Sequence, residues 1–183
     1  MLQVPKSKNL GDESIRREVQ WAWLAGIIDG EGNLNVQVRT AHNGKAYFRP
    51  KVRVANTDAR MIAKIADLYV EENIVFFYNI NDHHTRTHPG WKTQLNIEVA
   101  SQGSGAKVLK GIIPHLANKR RLAELLLELI VFVQTMPKGG NTLSIDYVNN
   151  PIFMGLRAQF EEEAKWYVDP STITRRAREK LSW

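Results

Sequence analysis

The stretch Leu24-Ala25-Gly26-Ile27-Ile28-Asp29-Gly30-Glu31-Gly32, followed at once by Asn33-Leu34-Asn35-Val36-Gln37-Val38-Arg39, decides how this chain is read. Up to Asp29 the residues suit a helix that begins near Asp12 or Ser14, with Gly30 and Gly32 ending it. From Asn33 onward the polar residues occupy odd positions and the aliphatic ones even positions, the period of a half-buried strand. Ala22, Gly26 and Gly30 recur at a spacing of four, so one face of the helix carries almost no side chains. A glycine inside a helix costs ~1 kcal/mol against alanine, so two of them need a reason. One reason is tight packing against the chain's own core; the other is close approach of a second helix.

The two acids pose a separate question. Asp29 and Glu31 stand at the negative end of the helix dipole, where cations are favoured. A solvated surface acid would account for one of them. For two, bracketed by glycines, a bound divalent cation is the compensation, because hard cations take carboxylate and free carbonyl oxygens. Two such helices meeting on a symmetry axis would bring their acids together in a paired-metal arrangement suited to in-line phosphodiester hydrolysis.

Working outward, Asn43-Gly44 marks a hairpin-type turn. The return strand sets Tyr47, Arg49, Lys51 and Arg53 on one face and Phe48, Val52 and Val54 on the other, with Pro50 implying an edge position or a bulge. Thr57 or Asp58 caps a second helix reaching about Glu72, with Ile62, Ile65, Ala66 and Tyr69 as its apolar stripe. A third strand is expected around Val75 to Asn81 and a fourth from Trp91 to Ala100, where Lys92, Gln94, Asn96 and Glu98 alternate with Thr93, Leu95, Ile97 and Val99. Beyond the Ser/Gly-rich SQGSG, helices are expected at Ala106 to Ile113, Arg120 to Thr135 and Pro151 to Val168. Helix, hairpin, helix, hairpin and then helices make an α+β chain, with helices on one face of a small antiparallel sheet. Residues 1–13 read as a flexible arm, 14–168 as one domain and 169–183 as a basic tail.

The other sheet face is distinctive. Asn33, Asn35, Gln37, Arg39, Tyr47, Arg49, Lys51 and Arg53, joined by Lys92, Gln94 and Asn96, are the side-chain types that hydrogen-bond base edges. An ordinary solvated face is the bland alternative. The chain has 183 residues and a net charge of +6, and its basic residues cluster locally. Arg39, Lys45, Arg49, Lys51, Arg53 and Arg60 are opposed there only by Asp58. No cysteine is present, so thiolate metal sites and disulfides are excluded. The N-terminus lacks the apolar run of a secretory signal, and no stretch is long and apolar enough to suggest a membrane span. His83-His84-Thr85-Arg86-Thr87-His88 has spacing unsuited to zinc, and contact with phosphate or plain exposure suits it better. The basic tail suits backbone contact or a solvated helix equally.

LAGIIDGEG resembles the signature of the LAGLIDADG homing endonucleases, and the element order around it is similar to that family's αββαββα core with additional C-terminal helices. The resemblance covers about Ser14 to Val168. It implies a site-specific, metal-dependent DNA endonuclease that makes a double-strand break in a long pseudo-palindromic site, encoded within an intron. It further implies Mg²⁺ on Glu31 with Gly30 as a carbonyl ligand, Asp29 as a structural residue at the helix end, and Asn56, Arg60 and Lys119 as the surrounding catalytic residues. The alternative for Lys119 is a surface or phosphate-contacting lysine. A single motif implies a homodimer joined through Ala22, Gly26, Asp29 and Gly30, acting on double-stranded DNA with no membrane or small-molecule substrate. Such a protein would work inside the cell, in the cytoplasm of a prokaryote or an organelle of a eukaryote. The rival reading is a non-cleaving nucleic-acid binder of the same fold, an intron-RNA maturase or a transcription regulator.

Overall fold

The computed structural model describes residues 10–40, 46–82, 90, 92–136 and 148–168. Helix α1 (Leu10–Glu31) leads directly into β1 (Gly32–Thr40), followed by β2 (Ala46–Asn56), α2 (Ala59–Glu71), β3 (Phe77–Asn81) and β4 (Gln94–Val99). Three helices complete the chain: α3 (Gln102–Ile112), which ends in a single 3-10 turn at Ile113–His115, α4 (Arg120–Thr135) and α5 (Pro151–Val168). The sheet is antiparallel throughout, in the order β1-β2-β4-β3. The α+β architecture expected from the sequence is the one observed.

Register follows the alternation. Asn33 pairs with Arg53, Asn35 with Lys51, Gln37 with Arg49 and Arg39 with Tyr47, so the polar positions of both strands share one face. The opposite face supplies Leu34, Phe48, Val52, Val54, Ile97 and Val99, all buried. Packed on them are Leu24 and Ile28 of α1, Ile65 and Tyr69 of α2, Leu109 of α3, Leu126 of α4 and Phe153 of α5. Each such aliphatic side chain contributes roughly 1.5–3 kcal/mol through its burial. Pro50 is explained by topology: β4 joins β2 only from Val52 onward, so at Pro50 the outer edge of β2 is unpaired. Its ring packs toward α3, where a Cβ on Gly105 would lie 3.6 Å from Pro50 Cγ.

Several boundaries differ from expectation, each for a local reason. α1 begins at Leu10, so the last four residues assigned to a flexible arm belong to the helix, with Asp12 and Glu13 favourably placed in its first turn. α3 begins at Gln102, because the Ser101 hydroxyl accepts from Ser104 N at 3.2 Å; the SQGSG segment is a helix cap and first turn. The third and fourth strands are shorter than expected. α2 is capped by Asp58 and closes through Asn73, whose φ of 51° lets Ile74 N reach Tyr69 O at 2.8 Å. Its fourth buried position is Leu68 in place of Ala66. The Asn43-Gly44 turn, the His83–His88 loop and the basic tail lie outside the described residues.

Candidate functional site

The C-terminal end of α1 is where the predicted site residues gather. Glu31, the last helical residue, is exposed. The side chain of Asn56, at the end of β2, donates from Nδ2 to Glu31 Oε2 and accepts Asp58 N at 2.7 Å on its Oδ1. That second bond is a local turn that fixes the amide's orientation. Asp58 caps α2 by accepting Arg60 N at 2.9 Å, and the Arg60 guanidinium returns to the same carboxylate at 3.3 Å. These bonds hold the Asp58 carboxyl below the usual carboxylate range, and the arginine is raised in turn. Glu31, Asn56 and Arg60 therefore share one edge of the molecule, with Arg60 paired to Asp58 rather than to Glu31. The guanidinium is 93% exposed, open to an incoming anion.

Beneath this edge, Asp29 and Lys119 form a reciprocal clamp. Asp29 Oδ2 accepts Ala117 N at 2.7 Å and Asn118 N at 3.1 Å, while Oδ1 accepts Lys119 N at 2.8 Å. Lys119 is the N-cap residue of α4 and offers no side-chain cap of its own. Asp29 thus stands at the negative end of α1 and the positive end of α4, which resolves its unfavourable placement. Lys119 does the converse. Its ammonium donates to Ile28 O at 2.8 Å and Gly32 O at 2.7 Å, satisfying carbonyls released at the end of α1. Lys119 is only 9% exposed, and burial pulls its ammonium below the ordinary lysine range, against an opposing pull from Asp29. The Asp29 carboxylate, expected at a dimer interface, is engaged within its own chain.

The small-residue face of α1 behaves differently. Ala22, Gly26 and Gly30 are exposed, and a Cβ built on either glycine would meet nothing within 4 Å. Close packing within the chain therefore does not explain these glycines. Gly32 is the contrasting case: its Cβ would lie 2.6 Å from Ile28 Cα, so the chain's own backbone requires glycine there. The bare stripe continues N-terminally through Ile15 and Val19, 63% and 62% exposed. The steps 15, 19, 22, 26 and 30 keep one helix face, a periodicity already present within the expected helix.

On the open sheet face Asn33 and Asn35 are exposed, and Asn35 Oδ1 accepts Val36 N at 2.6 Å. Gln37 Oε1 is shielded from solvent and has no donor among the described residues, an acceptor whose desolvation they leave uncompensated. Arg49 and Lys51 both reach Glu98, at 3.6 and 3.2 Å. Arg53 Nε donates to Asn96 Oδ1 at 3.2 Å. Asn96 is 4% exposed, so this expected base-reading residue instead orients Arg53. Gln94 is half-buried, and Lys92 stands exposed just before β4. The register also places Phe77, Asn79 and Asn81 opposite Glu98, Asn96 and Gln94, three residues of this face that the sequence reading passed over. The Arg49 guanidinium lies 5.5 Å from the Phe77 ring centroid, and the two line a groove with Lys51, Arg53, Asn79 and Asn96. The side chains of Arg39 and Tyr47 lie outside what is described.

Among the described residues no three histidine or acidic side chains converge as a metal cluster, and no helix is long and apolar enough to cross a membrane. No protein-family model and no curated protein matches the chain. Solved structures do. The archaeal intron-encoded homing endonuclease I-Vdi141I, complexed with DNA, superposes with a TM-score of 0.55 at 13% identity, over 82% of this chain and 85% of that one. The homing endonuclease I-CvuI, in complex with its target in the presence of Ca, gives 0.53 at 19% identity, over 66% and 71% of the two chains. The LAGLIDADG meganuclease I-AabMI, bound to uncleaved DNA, gives 0.50 at 16% identity; there 77% of this chain covers 44% of that one. The shared feature at these identities is the fold, an α+β unit with a four-stranded antiparallel sheet.

Proposed function

We propose that this chain is a homodimeric, metal-dependent DNA endonuclease of the LAGLIDADG homing type, cutting both strands of a long pseudo-palindromic site. The observation that carries the reading is the exposed Ala22–Gly26–Gly30 face, where a Cβ on either glycine would enter open space, ending at an exposed Glu31. Apposition of two such faces would place two Glu31 carboxylates side by side. One strand pair per subunit could then enter a major groove, as a two-stranded ribbon can. The Gln37 acceptor, without a donor among the described residues, and the row of Arg49, Lys51 and Arg53 suit base-edge donors and phosphates respectively.

The donor set fits Mg²⁺. That ion keeps several waters and takes one or two carboxylates together with substrate phosphate oxygens. Glu31 would supply the carboxylate, and Gly30, in the last helical turn, a carbonyl. When bound, the metal supplies an activated water and charge neutralisation at phosphorus. The chain's own residues set the stage. Asn56 fixes the Glu31 carboxylate through its amide. Arg60, tethered at Asp58 yet exposed, would swing its charge onto the scissile phosphate. Lys119 and Asp29 act as positioning residues, locking the end of α1 to the start of α4 so that Glu31 is presented from a rigid support.

Glu31→Gln tests the assignment. The variant should retain salt-sensitive binding to duplex DNA and lose Mg²⁺-dependent cutting; unchanged cutting would remove Glu31 from the metal site. Retained binding with no cutting by the unaltered chain in any divalent cation would favour the intron-RNA or regulatory reading.

A further inference from the structure

The open face of the sheet carries a contradiction. Arg49, Lys51 and Arg53 make it cationic, yet Glu98 sits among them as the one acid at the described open-face strand positions. Glu98 stands across from Arg53 in the β2–β4 register and reaches both other cations, Lys51 at 3.2 Å and Arg49 at 3.6 Å. This is not a loose surface pair. The side chains of Glu98 and Lys51 are only 17% and 19% exposed, so solvent and salt screen them less than usual. Phe77 closes over Arg49 from β3, with its ring centroid 5.5 Å from the guanidinium. Glu98 is thus a built-in counter-ion for two of the three described cations in β2.

A carboxylate in that position opposes the approach of phosphate. Resting on the reading of this face as a DNA-binding surface, we infer that Glu98 is a specificity-determining residue that suppresses binding to arbitrary duplex. While Arg49 and Lys51 remain paired with Glu98, neither is free to neutralise a phosphate. A duplex must offer base-edge contacts that compensate for breaking the pairs, and a random sequence offers only phosphate. The cluster therefore moves affinity from the non-specific to the specific complex, by penalising the wrong partner.

The test needs no knowledge of the target. Binding of the full chain to a random-sequence duplex is measured across a salt series for the unaltered protein, for Glu98→Gln and for Asp67→Asn. Asp67, exposed on α2, provides the same change in net charge away from this face. Each additional phosphate neutralised steepens the log–log salt slope by about 0.9, so two released cations add up to ~1.8. Glu98→Gln should therefore bind random duplex more tightly, by roughly three- to tenfold at moderate salt, with a visibly steeper slope. Asp67→Asn should follow the unaltered protein. Glu98→Gln matching the unaltered protein, or binding more weakly, would overturn the inference while leaving the DNA-binding surface intact. Absence of any salt-sensitive duplex binding by the unaltered chain would instead remove the DNA-binding reading itself. Thermal unfolding of the three proteins separates these outcomes from loss of fold, and Glu98→Ala serves as the binding variant if Glu98→Gln is unfolded.

Discussion

Replacing Gly26 with leucine should stabilise the single chain and dissociate the proposed homodimer, two effects of opposite sign. Within the chain a Cβ at Gly26 meets nothing within 4 Å, so the substitution creates no clash there. It removes a glycine from the interior of α1, worth ~1 kcal/mol in helix propensity. Between chains the reasoning reverses. If α1 packs against its symmetry mate along the 15–19–22–26–30 stripe, an added side chain enters the line of closest approach. Overpacking typically costs about 1–3 kcal/mol per site, and two-fold symmetry applies it twice, for about 2–6 kcal/mol per dimer. At 1.4 kcal/mol per tenfold, the dissociation constant rises roughly thirtyfold to twenty-thousandfold. Analytical ultracentrifugation over a concentration series measures the dissociation, and thermal unfolding below the dissociation constant measures the chain. A dimer of unchanged affinity in Gly26→Leu would refute the helix-to-helix interface. A destabilised monomer would refute the claim that this face is bare within the chain.

Two further predictions concern the support around the site. Asp29→Ala removes the acceptor for three backbone N–H groups, and because water can partly replace it, the loss of stability should be about 2–4 kcal/mol by urea unfolding at fixed protein concentration. A loss under ~0.5 kcal/mol would mean that the clamp to α4 is unimportant. Tyr69 is fully buried, and desolvation raises its phenol well above the usual tyrosine value. Its stabilising contribution is whole below pH ~10 and is lost as pH rises from there toward the folded value, because the unfolded tyrosine ionises first. The slope is about 1.4 kcal/mol per pH unit, so between about pH 9 and pH 11 Tyr69→Phe should lose about 1.4 kcal/mol less stability than the unaltered chain. Parallel pH dependences in the two proteins would contradict this.

What the sequence revealed and what it hid divides along physical lines. Period-two alternation from Asn33 and from Tyr47 placed the polar face correctly, because a strand's two faces are fixed by parity alone. α4 and α5 were legible to the residue, since their apolar stripes are long and begin at clear breaks. The resemblance marked Asp29 as structural, but the partners of Asp29 and Lys119 were not legible, because their bonds span 87–91 positions and depend on how α4 docks against α1. Asn96 looked like a free reader of bases, yet Arg53 from the neighbouring strand lies against it, a contact set by packing rather than pattern. Ile15 and Val19 lay within the expected helix, but pattern alone does not show that aliphatic side chains there stay exposed rather than joining the core. Phe77, Asn79 and Asn81 escaped because a short edge strand offers little periodicity to read.

The central claim is most directly tested by incubating the chain with a randomised double-stranded site library in Mg²⁺, in Ca²⁺ and in EDTA, and sequencing the cut ends. Cuts are expected in Mg²⁺ alone, confined to one long pseudo-palindrome and abolished by Glu31→Gln. No cutting in any condition, or cutting scattered without two-fold symmetry, would contradict it.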